Sequence, residues 1–141
     1  MKIISFEEKY RDDLIFMVLS AKNALGRIPK LNEDLLDINQ NFFQKGHPFW
    51  IALDEFDRVI GCIGTREDEE GHLFLSRLYV KYDLKRHGIG SKLLQLAEDS
   101  AKERGYSEVH VHLGKDYLES HIFYPKHGYV EYKDCYMKKQ L

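Results

Sequence analysis

The fold is decided by residues 78–94, which read Leu78-Tyr79-Val80-Lys81-Tyr82-Asp83-Leu84-Lys85-Arg86-His87-Gly88-Ile89-Gly90-Ser91-Lys92-Leu93-Leu94. A β-prone run comes first, a basic turn with two spaced glycines follows, and apolar residues then recur at helical spacing. Glycine lets the backbone approach a ligand closely, and the first N–H groups of a helix have no partner within it. We therefore expect an anion site at this turn. Its positive charge favours a diphosphate over a carboxylate, and the residues that supply it are Lys85, Arg86, His87 and Lys92.

Two nucleotide-binding motifs do not fit this turn. A Rossmann fingerprint needs a third glycine, but Leu93 stands at that place. A Walker A loop needs Gly-Lys-Ser/Thr, whereas Ser91 precedes Lys92 here. A nucleotide-binding domain of another kind stays open, as does a helix whose N-terminal glycines serve only tight packing.

Upstream of the turn, the spacing predicts a strand, two helices and a three-stranded meander. Residues 3–6 form a short β-prone run, and a helical spacing of apolar residues follows from Tyr10 to Ala21. Asn32 is expected to cap a second helix that ends at Gly46. Residues 49–53 and 59–65 suit an antiparallel hairpin with a polar turn, and residues 73–80 supply the third strand.

Downstream of the turn, we expect a helix, a strand, a short helix and two closing strands. The first helix runs from Gly88 to Gly105 and carries an apolar face. A strand follows at residues 109–113, and Asp116 is expected to cap a helix that reaches Tyr124. Residues 129–132 and 135–138 read as the closing strands.

This order, β-α-α-β-β-β-α-β-α-β(-β), predicts an α/β (α+β) fold. Strand 73–80, the helix and strand 109–113 form a crossover unit, which requires right-handed parallel pairing within an otherwise antiparallel sheet. We therefore expect a mixed, mostly antiparallel central sheet of six or seven strands with helices on both faces. Residues 1–141 are expected to form one domain.

Composition excludes several classes of protein. The 141 residues carry a net charge of -2, which argues against a broad nucleic-acid surface. The 9 Tyr and 8 Phe are too much apolar surface for a disordered chain. The two cysteines, Cys62 and Cys135, form neither a zinc motif nor a disulfide framework. Because no segment reads as a signal peptide or a membrane span, we expect a cytoplasmic protein that does not bind a membrane. From the net charge, we also expect no nucleic-acid partner.

Two motifs resemble the GNAT superfamily of N-acetyltransferases. Residues 85–90 resemble the family pattern of Gln/Arg, two residues, Gly, one residue and Gly/Ala, with Lys85 at the first position. Residues 122–129, Ile122-Phe123-Tyr124-Pro125-Lys126-His127-Gly128-Tyr129, resemble its late aromatic-Tyr, three residues, Gly-Phe/Tyr motif. The resemblance implies a GNAT-like fold and direct transfer of an acetyl group from acetyl-CoA to a primary amine of a small molecule or peptide.

The resemblance also implies which residues contact acetyl-CoA. Its pantetheine arm would pair like an extra strand with the backbone of Leu78, Tyr79 and Val80. Tyr117 stands where many relatives have a cofactor-binding Asn. The pyrophosphate would lie on the basic glycine turn, formed by Lys85, Arg86, His87, Gly88, Ile89, Gly90 and Ser91.

Tyr124 aligns with the family tyrosine that protonates the departing CoA thiolate. A phenol with a pKa of about 10 is protonated at neutral pH and can donate to a thiolate. For the base that deprotonates the amine, the candidates are His112, which shares a strand face with His110, and Glu67 near the end of a meander strand. Relatives often place a Glu where Phe74 stands here. The five histidines other than His110 and His112 show no metal-ligand spacing, so no metal is expected.

Other outcomes remain open at this level. A non-catalytic acyl-CoA sensor or regulatory module would keep the glycine turn and lack a working base. Peptide N-termini, amino acids and aminoglycoside-like amines are all acceptors for the enzyme interpretation. Exposed edge strands near the C-terminus make a homodimer a further possibility.

Overall fold

Seven strands form one open sheet in the computed structural model of this chain, which describes residues 1–85 and 87–141. The spatial order is β1-β2-β3-β4-β5-β7-β6. Every neighbouring pair is antiparallel except β4 and β5, which are parallel. This confirms the predicted mixed sheet, with seven strands rather than six. The strands are β1 (Lys2–Ser5), β2 (Phe49–Leu53), β3 (Val59–Glu67), β4 (Leu73–Val80), β5 (Glu108–His112), β6 (Val130–Lys133) and β7 (Tyr136–Gln140).

Helices cover both faces of the sheet, as predicted. They are α1 (Arg11–Ala24), α2 (Ile38–Asn41), α3 (Ile89–Glu103) and α4 (Leu118–Lys126). On β2, Ile51 packs in one apolar cluster with α1 and α2, while its neighbour Ala52 packs in a second cluster with α3 and α4. Because side chains alternate along a strand, these two clusters lie on opposite faces.

The prediction of one continuous second helix is wrong. Residues 32–46 form two short 3-10 turns, Glu33–Leu36 and Phe43–Lys45, on either side of the single-turn helix α2. Asn32 caps neither, because its side chain accepts from Lys22 Nζ at 2.9 Å and donates to the Tyr79 hydroxyl at 3.1 Å. Asp37 caps α2 instead, accepting from the Gln40 N–H at 2.9 Å.

Helix α3 begins and packs as the sequence predicts. Gly88 precedes it with a φ of 81°, a left-handed conformation that favours glycine. Four apolar side chains of α3 are almost completely buried, namely Leu93, Leu94, Ala97 and Ala101. The prediction that Asp116 caps α4 is wrong. Helix α4 begins at Leu118, so Tyr117 holds the cap position, and its side chain makes no capping hydrogen bond.

Strands β4 and β5 share a single residue pair, Phe74 with His110. On its other side, β4 pairs with β3 from Leu73 to Val80. A bulge interrupts that pairing, and Arg77 there has a φ of 58°. The bulge is held from two sides, since Arg77 Nε donates to Asp34 Oδ2 at 3.0 Å and the Cys62 thiol donates to the Arg77 carbonyl at 3.1 Å. Strand β5, by contrast, pairs with β4 only at Phe74, so β4 and β5 diverge toward Val80.

Candidate active site

A cleft of about 800 Å³ opens where β4 runs into α3. Its walls come from the end of β4, the start of α3, the end of α1 and helix α4. It brings together most of the residues that the sequence assigned to the cofactor and the acid. Those that line it are Leu78, Tyr79, Val80, Lys85, Gly88, Ile89, Gly90, Ser91, Tyr117 and Tyr124.

The N-terminus of α3 lies at this cleft, and within residues 1–85 and 87–141 its first N–H groups have no acceptor. The helical hydrogen-bond ladder starts with the Lys92 N–H, which donates to the Gly88 carbonyl at 3.0 Å. The amides of Ile89, Gly90 and Ser91 precede that first bond and have no acceptor within the helix. Together with the positive end of the helix dipole, they form a site suited to a phosphate group.

Gly90 leaves room beside these amides. A Cβ built at this position would lie 3.6 Å from Phe123 and Val80, which is ordinary van der Waals distance. Packing therefore does not require a glycine here, and its backbone is not in the left-handed region. The missing side chain instead keeps the cleft open at the point where a diphosphate would approach the backbone.

Ser91 is turned toward α4 by His127. The His127 Nδ1 lies 2.9 Å from the Phe123 carbonyl, so this nitrogen carries the proton. Its Nε2 is then the acceptor for the Ser91 hydroxyl, at 2.9 Å. This pair fixes the start of α3 against α4 and leaves the Ser91 amide for a ligand.

Several cations line the cleft. Burial lowers the pKa of Lys85, while the nearby Glu119 carboxylate opposes that shift. Burial also lowers the pKa of Lys22, whose amine donates to the Lys30 carbonyl at 2.7 Å. His87 is not among the lining residues. Arg86 lies outside the described residues, so its predicted contact stays untested.

Tyr124 lies in the wall of the cleft and is only 5% exposed. Its ring contacts Phe123 and Tyr129 edge to face, each at 5.2 Å between centroids. Burial, and then the charge of Glu98, raise the pKa of Tyr124 above the ordinary phenol value. The hydroxyl therefore keeps its proton throughout the physiological pH range and is available as a donor.

A buried carboxylate holds α3 to the segment that follows α4. Glu98 is 5% exposed and accepts from the Tyr129 hydroxyl at 2.7 Å and from Lys139 Nζ at 3.0 Å. Burial and the hydrogen bond to Glu98 raise the pKa of Tyr129. The Tyr129 N–H in turn donates to the Tyr124 carbonyl at 3.2 Å. This network fixes the end of α4 on which Tyr124 stands.

Arg27 connects the loop after α1 to the start of α4 across the cleft. Its guanidinium donates to Glu119 Oε1 at 2.9 Å and to the Asp116 carbonyl at 2.8 Å. It also lies over the Tyr117 ring, 3.8 Å from the centroid. The hydrogen bond to Glu119 raises the pKa of Arg27, so this bridge stays charged. Tyr117 thus lines the cleft as a ring stacked on a cation.

A sequence model of the "Acetyltransferase (GNAT) family" matches residues 15–129. The chain belongs to the GNAT family. It is 37% identical over 81 residues to the "Probable N-acetyltransferase camello" of Xenopus laevis, covering 55% of this chain and 36% of that protein. It is 29% identical over 102 residues to "N-acetyltransferase 8" of Homo sapiens, covering 68% of this chain and 44% of that protein. The chain thus matches less than half the length of these curated relatives.

Solved GNAT structures share the fold over almost the whole chain. An acetyltransferase of the GNAT family from Staphylococcus aureus superposes with a TM-score of 0.90 at 22% identity, covering 99% of this chain and 98% of that one. The PaiA N-acetyltransferase of Thermoplasma acidophilum in complex with coenzyme A gives 0.76 at 20% identity, covering 100% of both chains. An aminoglycoside 6'-N-acetyltransferase complexed with coenzyme A gives 0.71 at 15% identity, covering 99% of this chain and 97% of that one. These likenesses confirm the predicted GNAT fold.

The two candidate bases of the GNAT interpretation lie elsewhere. Glu67 accepts a hydrogen bond from the Tyr106 hydroxyl near the β3–β4 turn. The His112 ring stacks on Tyr136 at 4.1 Å between centroids, with an angle of 6° between planes. Neither residue is among those that line the cleft. The base assignment to either stays a prediction that this geometry does not support.

Sequence reasoning missed several lining residues of this GNAT site. Lys126, His127 and Phe123 lie inside the motif at residues 122–129, so their position in it was a usable signal. Lys22 and Arg27 belong to no motif. They reach the cleft only because α1 packs beside the end of β4, which spacing along the sequence cannot reveal.

Proposed function

We propose that this chain transfers an acetyl group from acetyl-CoA to a primary amine by direct attack. One observation carries the proposal: the free amides of the α3 N-terminus, the diverging end of β4 and the buried Tyr124 hydroxyl belong to one cleft. Membership of the GNAT family supports it, as do the two structural neighbours in complex with coenzyme A.

The cosubstrate would bind along two backbone surfaces. The pyrophosphate lies on the amides of residues 88–91, with Lys85 and Lys126 adding charge from the cleft wall. The pantetheine arm runs along the β4 edge at residues 78–80, where β5 has already diverged. Most of these contacts use backbone N–H groups, so the side chains of Leu78 and Val80 matter less than the path of their strand.

The chemistry would then proceed in one transfer. The amine lone pair attacks the thioester carbonyl carbon while strand N–H groups near Tyr79 and Val80 stabilise the developing oxyanion. As the C–S bond breaks, the Tyr124 hydroxyl donates its proton to the departing sulfur. The proton that the attacking nitrogen loses restores the phenol, so the products are an amide and free CoA thiol.

The acceptor, oligomeric state and location are proposed only in outline. We propose a small-molecule or peptide amine as acceptor, with peptide N-termini, amino acids and aminoglycoside-like compounds as the set to screen. Strand β6 lies at one edge of the sheet with all its residues exposed, which is compatible with a homodimer. Among the described residues, no helix is both long and apolar enough to cross a bilayer. The cytoplasmic location stays a prediction.

The non-catalytic alternative is not favoured. The matching family and the curated relatives are named for acetyltransferase activity rather than for ligand sensing. The buried, protonated Tyr124 also has a use in acid catalysis that a binding module would not need.

Binding and turnover test the proposal separately. We expect acetyl-CoA and CoA, but not ATP, to raise the melting temperature, because only the CoA molecules fill both the α3 site and the β4 edge. Stabilisation by ATP and not by CoA would favour a nucleotide-binding domain instead. Mass spectrometry of an amine panel incubated with acetyl-CoA then reads turnover. CoA binding with no acetylated amine would support the sensor alternative.

Tyr124→Phe isolates the proposed acid. We expect kcat to fall about 100-fold, a typical contribution of general acid catalysis, with the Kd for acetyl-CoA nearly unchanged. The matched control is Tyr136→Phe, which removes a hydroxyl from an aromatic residue outside the cleft. Equal kcat values for the two variants would rule out Tyr124 as the acid.

A further inference from the structure

A second cluster of chemically active side chains lies outside the cleft. His72 precedes β4, and Glu108 and His110 lie on β5. Each offers one ligand atom, and these atoms all lie within 4.8 Å of one another. The rings of His72 and His110 are 5.0 Å apart between centroids. His110 is itself 4% exposed, an unusual degree of burial for a histidine.

The single pairing between β4 and β5 creates this cluster. Phe74 lies beside His110 in the parallel register, so the chain entering β4 runs next to β5. His72 stands two residues before Phe74, and Glu108 stands two residues before His110. Because residues two apart on a strand share a face, the three side chains meet on the same side of the sheet.

The His72 ring is held through one nitrogen, and the His110 ring through both. His72 Nδ1 donates to Asp68 Oδ2 at 2.9 Å, which leaves Nε2 for a ligand. Asp68 is itself fixed, because its Oδ1 accepts from the backbone N–H groups of Glu70 at 3.0 Å and His72 at 2.8 Å. His110 Nδ1 lies 2.8 Å from the Tyr132 hydroxyl, and its Nε2 lies 2.9 Å from Glu108 Oε1.

We propose that His72, Glu108 and His110 form a binding site for a divalent transition-metal ion, with zinc as the best match. Two imidazoles and one carboxylate, with water in a fourth position, are a common zinc ligand set. The outer contacts are also those of metal sites, where a carboxylate or hydroxyl orients each ligating imidazole. The ion would replace the proton that His110 Nε2 now shares with Glu108.

The site would clamp β4 to β5 at the end where they pair. The other end of β4 lines the cleft, so the ion would fix the strand pair from which the diverging edge extends. Sequence spacing could not reveal this site, because its ligands come from two distant segments. The inference rests on the fold and does not depend on the proposed activity.

Zinc titration of chelator-treated protein tests the site. Calorimetry should detect one Zn²⁺ per chain, and Zn²⁺ should raise the melting temperature. His72→Gln alters a partly exposed side chain, so the variant should fold, and we expect its Zn²⁺ affinity to fall at least tenfold. Asp68→Asn should weaken binding by about tenfold through the orientation of His72. Circular dichroism verifies the fold of each variant.

His112→Gln is the matched control. It removes an imidazole from the same strand and the same face, but the ring stacks on Tyr136 outside the cluster. Its Zn²⁺ affinity should equal that of the unchanged protein. The proposal is overturned if no Zn²⁺ binds, if His72→Gln binds it normally, or if His112→Gln weakens binding as much as His72→Gln does.

Discussion

Gly90 and Tyr124 line the same cleft and contribute to it in opposite ways. Gly90 contributes by lacking a side chain next to the free amides of α3, where a Cβ would meet only ordinary contacts. Tyr124 contributes a buried hydroxyl whose pKa is raised by its surroundings. At this scale, the proposed function would depend on the open space beside Gly90 and on the proton that Tyr124 retains.

Gly90→Ala separates binding from stability. We expect the free energy of unfolding to stay the same or rise by up to about 1 kcal/mol, because alanine is favoured over glycine in a helix. The acetyl-CoA affinity should fall at least tenfold, because the methyl group occupies space beside the phosphate site. Urea unfolding and calorimetry measure the two effects. Gln95→Ala, on the exposed face of α3, should leave affinity unchanged, and equal affinities in both variants would refute the role of Gly90.

Individual residues also show where sequence reasoning ends. The positive φ of Arg77 follows from the bulge between β3 and β4, and no property of an arginine announces it. Asn32 has the side chain of a helix cap, yet it holds Lys22 and Tyr79 instead. Both outcomes depend on partners from distant segments, whereas Gly88 before α3 was predictable because its requirement is local.

At the scale of elements, the buried Glu98 network joins α3, β7 and the end of α4. Tyr129→Phe removes one donor and leaves the carboxylate with Lys139 alone. We expect unfolding to become easier by about 1.5 to 3 kcal/mol, the range for hydrogen bonds to charged groups. Urea denaturation measures this loss. Tyr82→Phe, which alters a half-exposed ring, is the control and should cost far less.

Asp13 attaches α1 to β3 and makes that attachment depend on pH. It accepts from Arg58 Nη2 and from the Val59 N–H, each at 2.8 Å. The hydrogen bond from Arg58 lowers the pKa of Asp13, and burial opposes this shift with a smaller effect. The pKa of Asp13 therefore lies below its ordinary value. Because the pKa of Asp13 is lower in the folded state, its ionised carboxylate stabilises the fold at a pH above the unfolded-state pKa of about 3.9. This stabilisation is lost as the pH falls through the folded-state pKa.

Asp13→Asn should therefore unfold more easily than the unchanged protein at pH 7. The difference in the free energy of unfolding should shrink as the pH falls below about 4, where the carboxylate becomes protonated. Urea titrations over this pH range measure it, with Asp12→Asn at a largely exposed neighbouring site as control. A difference that stays constant with pH would show that Asp13 does not act through its charge.

At the scale of the whole molecule, Arg27 joins the two sides of the cleft. It connects the loop after α1, which packs on one face of the sheet, to α4, which packs on the other. Arg27→Ala should free the loop, so trypsin should cleave at Lys30 several times faster. Arg11→Ala, which removes an exposed ion pair, should not change that rate. Equal cleavage in both variants would argue against the bridge.

The sheet, its layers and most residues of the cleft were predictable because the periodic elements and the two motifs are clear, whereas contacts between distant segments were not. The apolar period of α3 and the alternating meander determine the layers, and the glycine turn locates the anion site. The bridge at Arg27 and the cluster around His110 arise from the packing of α1 on the sheet and from the β4–β5 register. Tertiary contacts of this kind leave no pattern along a single sequence.

The single residue pair between β4 and β5 has a mechanical consequence. The sheet has two parts, strands β1 to β4 and strands β5 to β7. One residue pair and the packing of α3 connect them. A ligand that pairs with the open edge of β4 would add contacts between these two parts of the sheet. Stretching the chain from its ends should then require more force with CoA bound than without it.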